Sequence, residues 1–166
     1  MTASPAEILQ KYLTDSGVVI MPEVRQRKYT GPTQCFTNTL PDDIDQAVLL
    51  MDTDGMNFGR TQEGTYPEHY GVKMTVRAPN TTAMGVGRAG NDIGSAVLGV
   101  LNRINPQTGV TVTIYGVDYH VNNVYRKGTF SFFGEEEAKE SRKQRFLWGC
   151  LLYVVMDVIP STVVTE

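Results

Sequence analysis

The stretch that decides the fold is residues 80–104, NTTAMGVGRAGNDIGSAVLGVLNRI. Ile93, Val97, Val100, Leu101 and Ile104 recur at i, i+4, i+7, i+8 and i+11, one apolar stripe at helical period. Val86 and Ala89 carry the stripe toward the N-terminus, and Asn80, Thr81 and Thr82 all have side chains able to cap a helix. Asn105-Pro106 stops it, because a residue before proline avoids the α region. The spacing predicts the longest helix of the chain over 80–104. An alternating run, 70–78, precedes it. A hairpin pattern, 110–125, follows it. The predicted centre of the fold is therefore strand, helix, hairpin.

The same stretch contains Gly85-Val86-Gly87-Arg88-Ala89-Gly90, a match to the G-x-G-x-x-G dinucleotide fingerprint. Context argues against it. In a dinucleotide-binding unit the glycines follow the strand directly, whereas residues 79–84 intervene here. A parallel strand ending in an acid should come next, yet a tight hairpin follows, with Asp118 in its turn. Gly94 and Gly99 recur further along the helix. Each glycine costs about 1 kcal/mol against alanine in a helix interior, so the favoured reading is a helix lying close to a neighbour. Small-ligand or nucleotide binding through Gly85–Gly90 stays as the alternative.

At 166 residues and a formal net charge of −3, the chain reads as a single domain, 1–166, with ordinary globular composition. No run of Lys and Arg suggests a nucleic-acid groove. Cys35 and Cys150 form neither a C-x-x-C nor a disulfide framework, which leads to the expectation of a reducing compartment. No stretch has the apolar length of a membrane span, and no secretory leader is expected.

Taken in order, Ser4-Pro5-Ala6-Glu7 is a capping box with proline at the first helical position. Ile8, Leu9, Tyr12 and Leu13 supply that helix's buried face, and Gly17 its end. Residues 18–21 suit a short strand, and 22–33 a long loop or arm. Residues 47–51, AVLLM, form an apolar run suited to a strand buried on both faces. Asp52-Thr53-Asp54-Gly55 predicts a turn. A calcium loop opening at Asp52 fails, because Met56 and Asn57 stand where a ligand and a glycine are needed. Residues 59–68 read as a polar loop. Tyr70, Val72, Met74 and Val76 then alternate with polar neighbours as a one-sided strand. Val110, Val112 and Ile114, a turn at 116–118, and Tyr119, Val121 and Val124 make the hairpin.

Residues 127–144 break the pattern and read as a long loop or arm. They hold Phe130, Phe132 and Phe133, then Glu135, Glu136 and Glu137, then mixed charge that includes Arg142 and leads to Arg145. Two readings stay open: a solvated loop whose phenylalanines fold back on the core, or a protruding arm that hides them in a partner. Residues 146–159 form the last predicted strand, and both of its faces are apolar. Phe146, Trp148, Cys150, Leu152, Val154, Met156 and Val158 share one face; Leu147, Leu151, Tyr153, Val155 and Ile159 share the other. Such a strand is central, or covered on its second face by a helix or another subunit. Together, Phe130, Phe132, Phe133, Glu135, Glu136, Glu137, Arg142, Arg145 and Trp148 are the candidate subunit or partner interface.

The search for chemistry returns little. His69 and His120 lie in or beside strands with no second ligand at metal spacing. Cys150 sits in a core strand as a small hydrophobe. Asp42-Asp43-Ile44-Asp45 reads as a solvated turn. No nucleophile, base and oxyanion donor assemble in the pattern, so the expectation is a protein that is not an enzyme and uses no cofactor or metal.

The order of elements carries a resemblance. A capped helix begins near Ser4-Pro5-Ala6-Glu7-Ile8. A buried strand ends in Asp52, and Val72-Lys73-Met74-Thr75-Val76-Arg77-Ala78 forms the next. The long helix, the hairpin and a last apolar strand complete the series. This resembles the tail terminator, or tail-completion, proteins of long-tailed bacteriophages, often labelled minor capsid proteins, over nearly the whole chain. The sequence departs from the smaller members in 22–33 and 127–144. The resemblance implies an α+β fold, with two helices packed on one face of a mixed or antiparallel sheet. It implies a homo-oligomeric, six-membered ring at the head-proximal end of the virion's tail, assembled in the host cytoplasm. That ring would stop polymerisation of the tail tube protein and meet a head-completion or neck protein. DNA would pass only through its channel, and no membrane would be involved. A head–tail connector of the neck is the alternative within this class.

Overall fold

The computed structural model describes residues 3–23, 32–58, 68–79, 88–137 and 144–156, and at 54–58, 68, 88–89, 127–137 and 144 their backbone. Two helices and a six-stranded mixed sheet make an α+β fold: α1 (Pro5–Asp15), β1 (Gln34–Thr37), β2 (Ala47–Phe58), β3 (Glu68–Pro79), α2 (Arg88–Leu101), β4 (Val110–Ile114), β5 (Val117–Glu137) and β6 (Gln144–Met156). The strand order is β1-β2-β3-β6-β5-β4. Only β1 and β2 run parallel; the other neighbours are antiparallel.

α1 forms as its sequence dictates. The Glu7 N–H donates to Ser4 Oγ at 3.3 Å, and the Ser4 N–H donates to Glu7 Oε1 at 3.2 Å, closing the capping box. Ile8, Leu9 and Leu13 are fully buried. Gly17, at φ +85°, leaves the helix in the left-handed conformation that glycine adopts freely. α2 buries Val97, Val100 and Leu101, with Ile93 half-buried. Regular helix ends at Leu101, three residues before Ile104. Tight turns replace it: Arg103 donates to the carbonyl of Val100, and Ile104 to that of Leu101. Residues 80–87, the predicted helix start, lie outside the described residues.

Both helices lie on one face of the sheet, over Val48, Leu50, Val72, Met74, Val76, Trp148, Leu152 and Val154 in one continuous core. The sheet curls far enough for β4 to touch α1. The Ala3 N–H donates to the Tyr119 hydroxyl at 2.9 Å, and the Tyr115 hydroxyl donates to Glu7 Oε2 at 2.5 Å, tying the start of the chain to the β4–β5 hairpin.

β6 is central. β3 pairs with it along its length, and β5 on its other side. Its two apolar faces therefore need no second subunit to explain the first: α2 covers Phe146 and Trp148. Three expectations are corrected. Residues 127–137 are not a loop or arm but the second half of β5, which reaches Glu137 through register shifts near 127–131 and 132–134. The hairpin strand is thus much longer than 117–125. Residues 52–55 are not a turn, since β2 runs through them to Phe58 and absorbs them as a register shift against β3 between Asp52 and Asn57. Residues 18–21 contribute a single bridge, Ile20 with Gln34, rather than a strand.

Candidate functional site

The glycines of α2 acquire a physical reason from Trp148. A Cβ on Gly94 would lie 1.5 Å from Trp148 Cη2, and one on Gly90 would lie 2.8 Å from Trp148 Nε1. The indole occupies the notch these residues leave, and Trp148 is 2 % exposed. Gly90, the last residue of the G-x-G-x-x-G match, faces the core and not a ligand. Gly85 and Gly87 lie outside the described residues. Trp148 itself is a core residue and offers no surface to a partner.

Arg145 is also interior, at 1 % exposure. Its Nε donates to Asp45 Oδ1 at 3.0 Å, its Nη2 to the Asp42 carbonyl, and its Nη1 lies 3.6 Å from Asp42 Oδ1. Arg77, one strand away, donates from Nη1 to the carbonyls of Pro41 at 2.8 Å and Ile44 at 3.1 Å. Two guanidinium groups thus hold loop 38–46 over the end of the sheet face opposite the helices. Beneath it Phe36, Ile44 and Ala47 form a small second core. The acidic run 42–45, expected as a solvated turn, is an arginine clasp. An alternating-charge stretch before an apolar strand gives no hint that one arginine turns inward.

Asp52 is the residue that sequence reasoning undervalued. Its Oδ1 accepts from the Ala6 N–H at 2.8 Å, at the N-terminus of α1, where exposed N–H groups favour a carboxylate. Asn38, at φ +64°, donates from Nδ2 to Asp52 Oδ2 at 3.1 Å, and the Asp52 N–H donates back to Asn38 Oδ1 at 3.0 Å. One carboxylate joins helix, sheet and the turn after β1. The only sequence signal was an aspartate closing an apolar run.

Away from loop 38–46, the outer sheet face carries Met51 and Tyr125, 36 % and 37 % exposed, with Leu49, Leu151 and Val155 half-buried. Tyr125 stands edge-on to Tyr153 at 5.6 Å and to His69 at 6.1 Å. On the helical side, an open cleft of about 540 Å³ separates α2 from β5, lined by Ser95, Leu98, Gly99, Asn102 and Arg126.

Phe132, Glu135, Glu136 and Glu137 pair with β6 along the backbone of β5, and Phe130 and Phe133 fall in its register shifts. Arg142 lies outside the described residues. Burial pushes the Cys35 thiol up to about 12 and the Cys150 thiol up to about 11, Arg126 acting against the second shift. Both sulfurs are free and buried, and a thiol held protonated is a poor nucleophile. Among the described residues no three His, Cys, Asp or Glu side chains are grouped to hold a metal, and no helix is long and apolar enough to cross a membrane. In comparison with known proteins, no family model matches the chain, and no curated protein matches it.

Proposed function

We propose that this protein is a structural virion component: a subunit of a ring that caps a phage tail tube, ends tube growth and presents the joining surface to the head. The order of elements first suggested it, and the α+β fold with both helices on one face is compatible with it. The observation that carries most weight is the outer sheet face. Tyr125, Tyr153 and Val155 make an apolar patch across the neighbouring strands β5 and β6, with Leu151 beside it and Met51 beyond the exposed Lys73 of β3, and no described helix lies over these residues. Apolar surface gathered in one patch suits a neighbouring protein more than solvent. A head-to-tail contact between copies closes into a ring when the rotation per subunit allows it.

Analytical ultracentrifugation over a range of concentration and salt, with electron microscopy of the assembled species, tests the reading. A closed ring of discrete mass is expected, and tubes assembled in its presence should be shorter. A strictly monomeric chain under all conditions, also with tail tubes added, would overturn it. Binding to isolated tails but not to heads separates a tail cap from a neck connector.

A further inference from the structure

We infer that the free edge of β4 is a self-pairing contact, at which two copies of the chain join antiparallel about a two-fold axis at Val112 and continue one sheet into the other. The inference stands apart from the ring reading, because it uses the rim of the sheet and not its outer face.

The two rims differ. At β1 the outward groups are engaged inside the subunit: the Cys35 N–H donates to the Ile20 carbonyl at 2.9 Å, and the Ile20 N–H to that of Thr33 at 2.9 Å. β4 pairs with β5 alone. Its hairpin decides which groups point outward. Tyr115 and Gly116, at φ +54° and +72°, form a two-residue type I′ turn between Ile114 and Val117. Ile114, and by alternation Val112 and Val110, therefore direct their backbone groups to β5. Thr111 and Thr113 direct theirs to the rim. The hydrogen bond from Thr113 Oγ1 to Asp118 Oδ1, at 2.5 Å, fits the closer side-chain approach of such an unbonded backbone pair. No backbone group of a described residue meets Thr111 or Thr113 from the rim side.

An open edge is ordinarily blunted by lysine, proline, a bulge or a cover. β4 reads Val-Thr-Val-Thr-Ile, keeps an unbroken register with β5 and leaves both threonines exposed. α1 touches β4, but Val112 is the residue buried there, and Val110 and Ile114 keep part of their surface. The strand is also its own complement. A two-fold at Val112 sets Thr111 opposite Thr113 of the second copy, and Thr113 opposite Thr111. Those are the residues with outward groups, so each N–H meets a carbonyl and none is left over. Val110 falls opposite Ile114, and the threonines form cross-strand pairs of a favourable kind with no like charges facing. A foreign strand would have to supply this match; a second copy carries it by symmetry, as an isologous contact requires.

The strand is short, so the dimer belongs to the weak, transient class. Hydrogen exchange and sedimentation over a range of concentration test it. The amides of Val110, Val112 and Ile114 should exchange slowly throughout, whereas those of Thr111 and Thr113 should be fast in dilute protein and slow as dimer forms. Thr111→Lys with Thr113→Lys sets like charges against each other across the two-fold, while inside the subunit the two positions face His120 and Asp118. It should raise the dimer dissociation constant about tenfold or more. Thr111→Glu with Thr113→Lys sets opposite charges across the same axis and should dimerise at least as tightly as the wild type. Thr111→Pro, which removes only an outward N–H, should weaken the dimer as the double lysine change does. Thermal unfolding of the dilute double variants should stay close to the wild type. A wild type that is monomeric at its highest soluble concentration, or that associates while the Thr111 and Thr113 amides stay fast, would overturn the inference, as would a double-lysine variant that dimerises unchanged. Protection of those amides only after tail tubes are added would give the rim to another chain and reject the second copy. A ring built on the outer face should persist in the double-lysine variant, so the two readings fail separately.

Discussion

The two faces of one sheet are closed in opposite ways. On the helical face, burial is apolar and exact in shape: an indole enters a notch cut by two glycines, and a Cβ on one of them would overlap a ring carbon. On the outer face, the covered part is held by charge and hydrogen bonds. Arg77 and Arg145 reach up from the sheet and grip carbonyls and carboxylates of loop 38–46. The first arrangement tolerates almost no change of volume. The second tolerates volume, and loss of charge costs it less than full burial would imply, since Asp42 and Asp45 are partly exposed and water replaces some of what a lost arginine gave. Shape sets the stability of this subunit, and polar clasps set where its loops lie.

The strongest way to break that contrast is Trp148→Ala, which should cost about 3–5 kcal/mol in urea unfolding by emptying the notch. Gly94→Ala should cost about 3 kcal/mol by overfilling it. Combined with Trp148→Leu, its effect should fall well below the sum, because the two sites share one volume. Additivity within experimental error would show that the helix is held elsewhere.

On the outer face, Arg145→Met should cost about 2 kcal/mol, less than full burial of a charge pair implies, because its partners keep some solvent. Arg145→Lys should recover little, as an ammonium cannot reproduce the spread of the guanidinium donors. Hydrogen exchange should show the loss confined to 38–46. If protection falls equally in α2, the loop is not a separate unit.

Smaller still is Asp52→Ala, expected to cost about 1 kcal/mol by removing a carboxylate from a helix N-terminus. Last come the thiols. Both have folded-state pKa values raised above the ordinary 9.0, to about 12 and about 11. Their contribution to stability is therefore complete below about pH 9 and declines as pH rises through about 11 to 12. Alkaline titration of the unfolding free energy should show that decline, and Ellman's reagent at pH 8 should label neither sulfur until the protein unfolds. Rapid labelling of either in the folded protein would show that its side of the core opens.

Much of the fold was legible because local rules and packing agree. The capping box of α1, the alternation of Val72, Met74 and Val76, and the stripe of α2 all follow short-range periodicity and were found in place. What escaped depends on partners distant in sequence. β1 is a strand because Ile20 and β2 flank it, and no pattern within Gln34–Thr37 announces that. The second half of β5 is strand because β6 pairs with it, while its own residues, rich in charge and glycine, argue for a loop. The same limit applies to the candidate interface. Trp148 and Arg145 were singled out for residue type, and only the tertiary structure reveals that both point inward.

The central position of β6 also bears on how the subunit comes into being. β1, β2 and β3 pair among themselves, and so do β4 and β5, but within the sheet the two groups are hydrogen-bonded to each other only through β6. During synthesis this is the last of the described strands to emerge. Until then the nascent chain holds two half-sheets, each with an open rim where the missing strand belongs, and both rims can recruit a strand from a neighbouring chain. Neighbouring nascent chains on one message are therefore a hazard that β6 removes on arrival, and slower translation of the stretch before Gln144 would prolong the exposure.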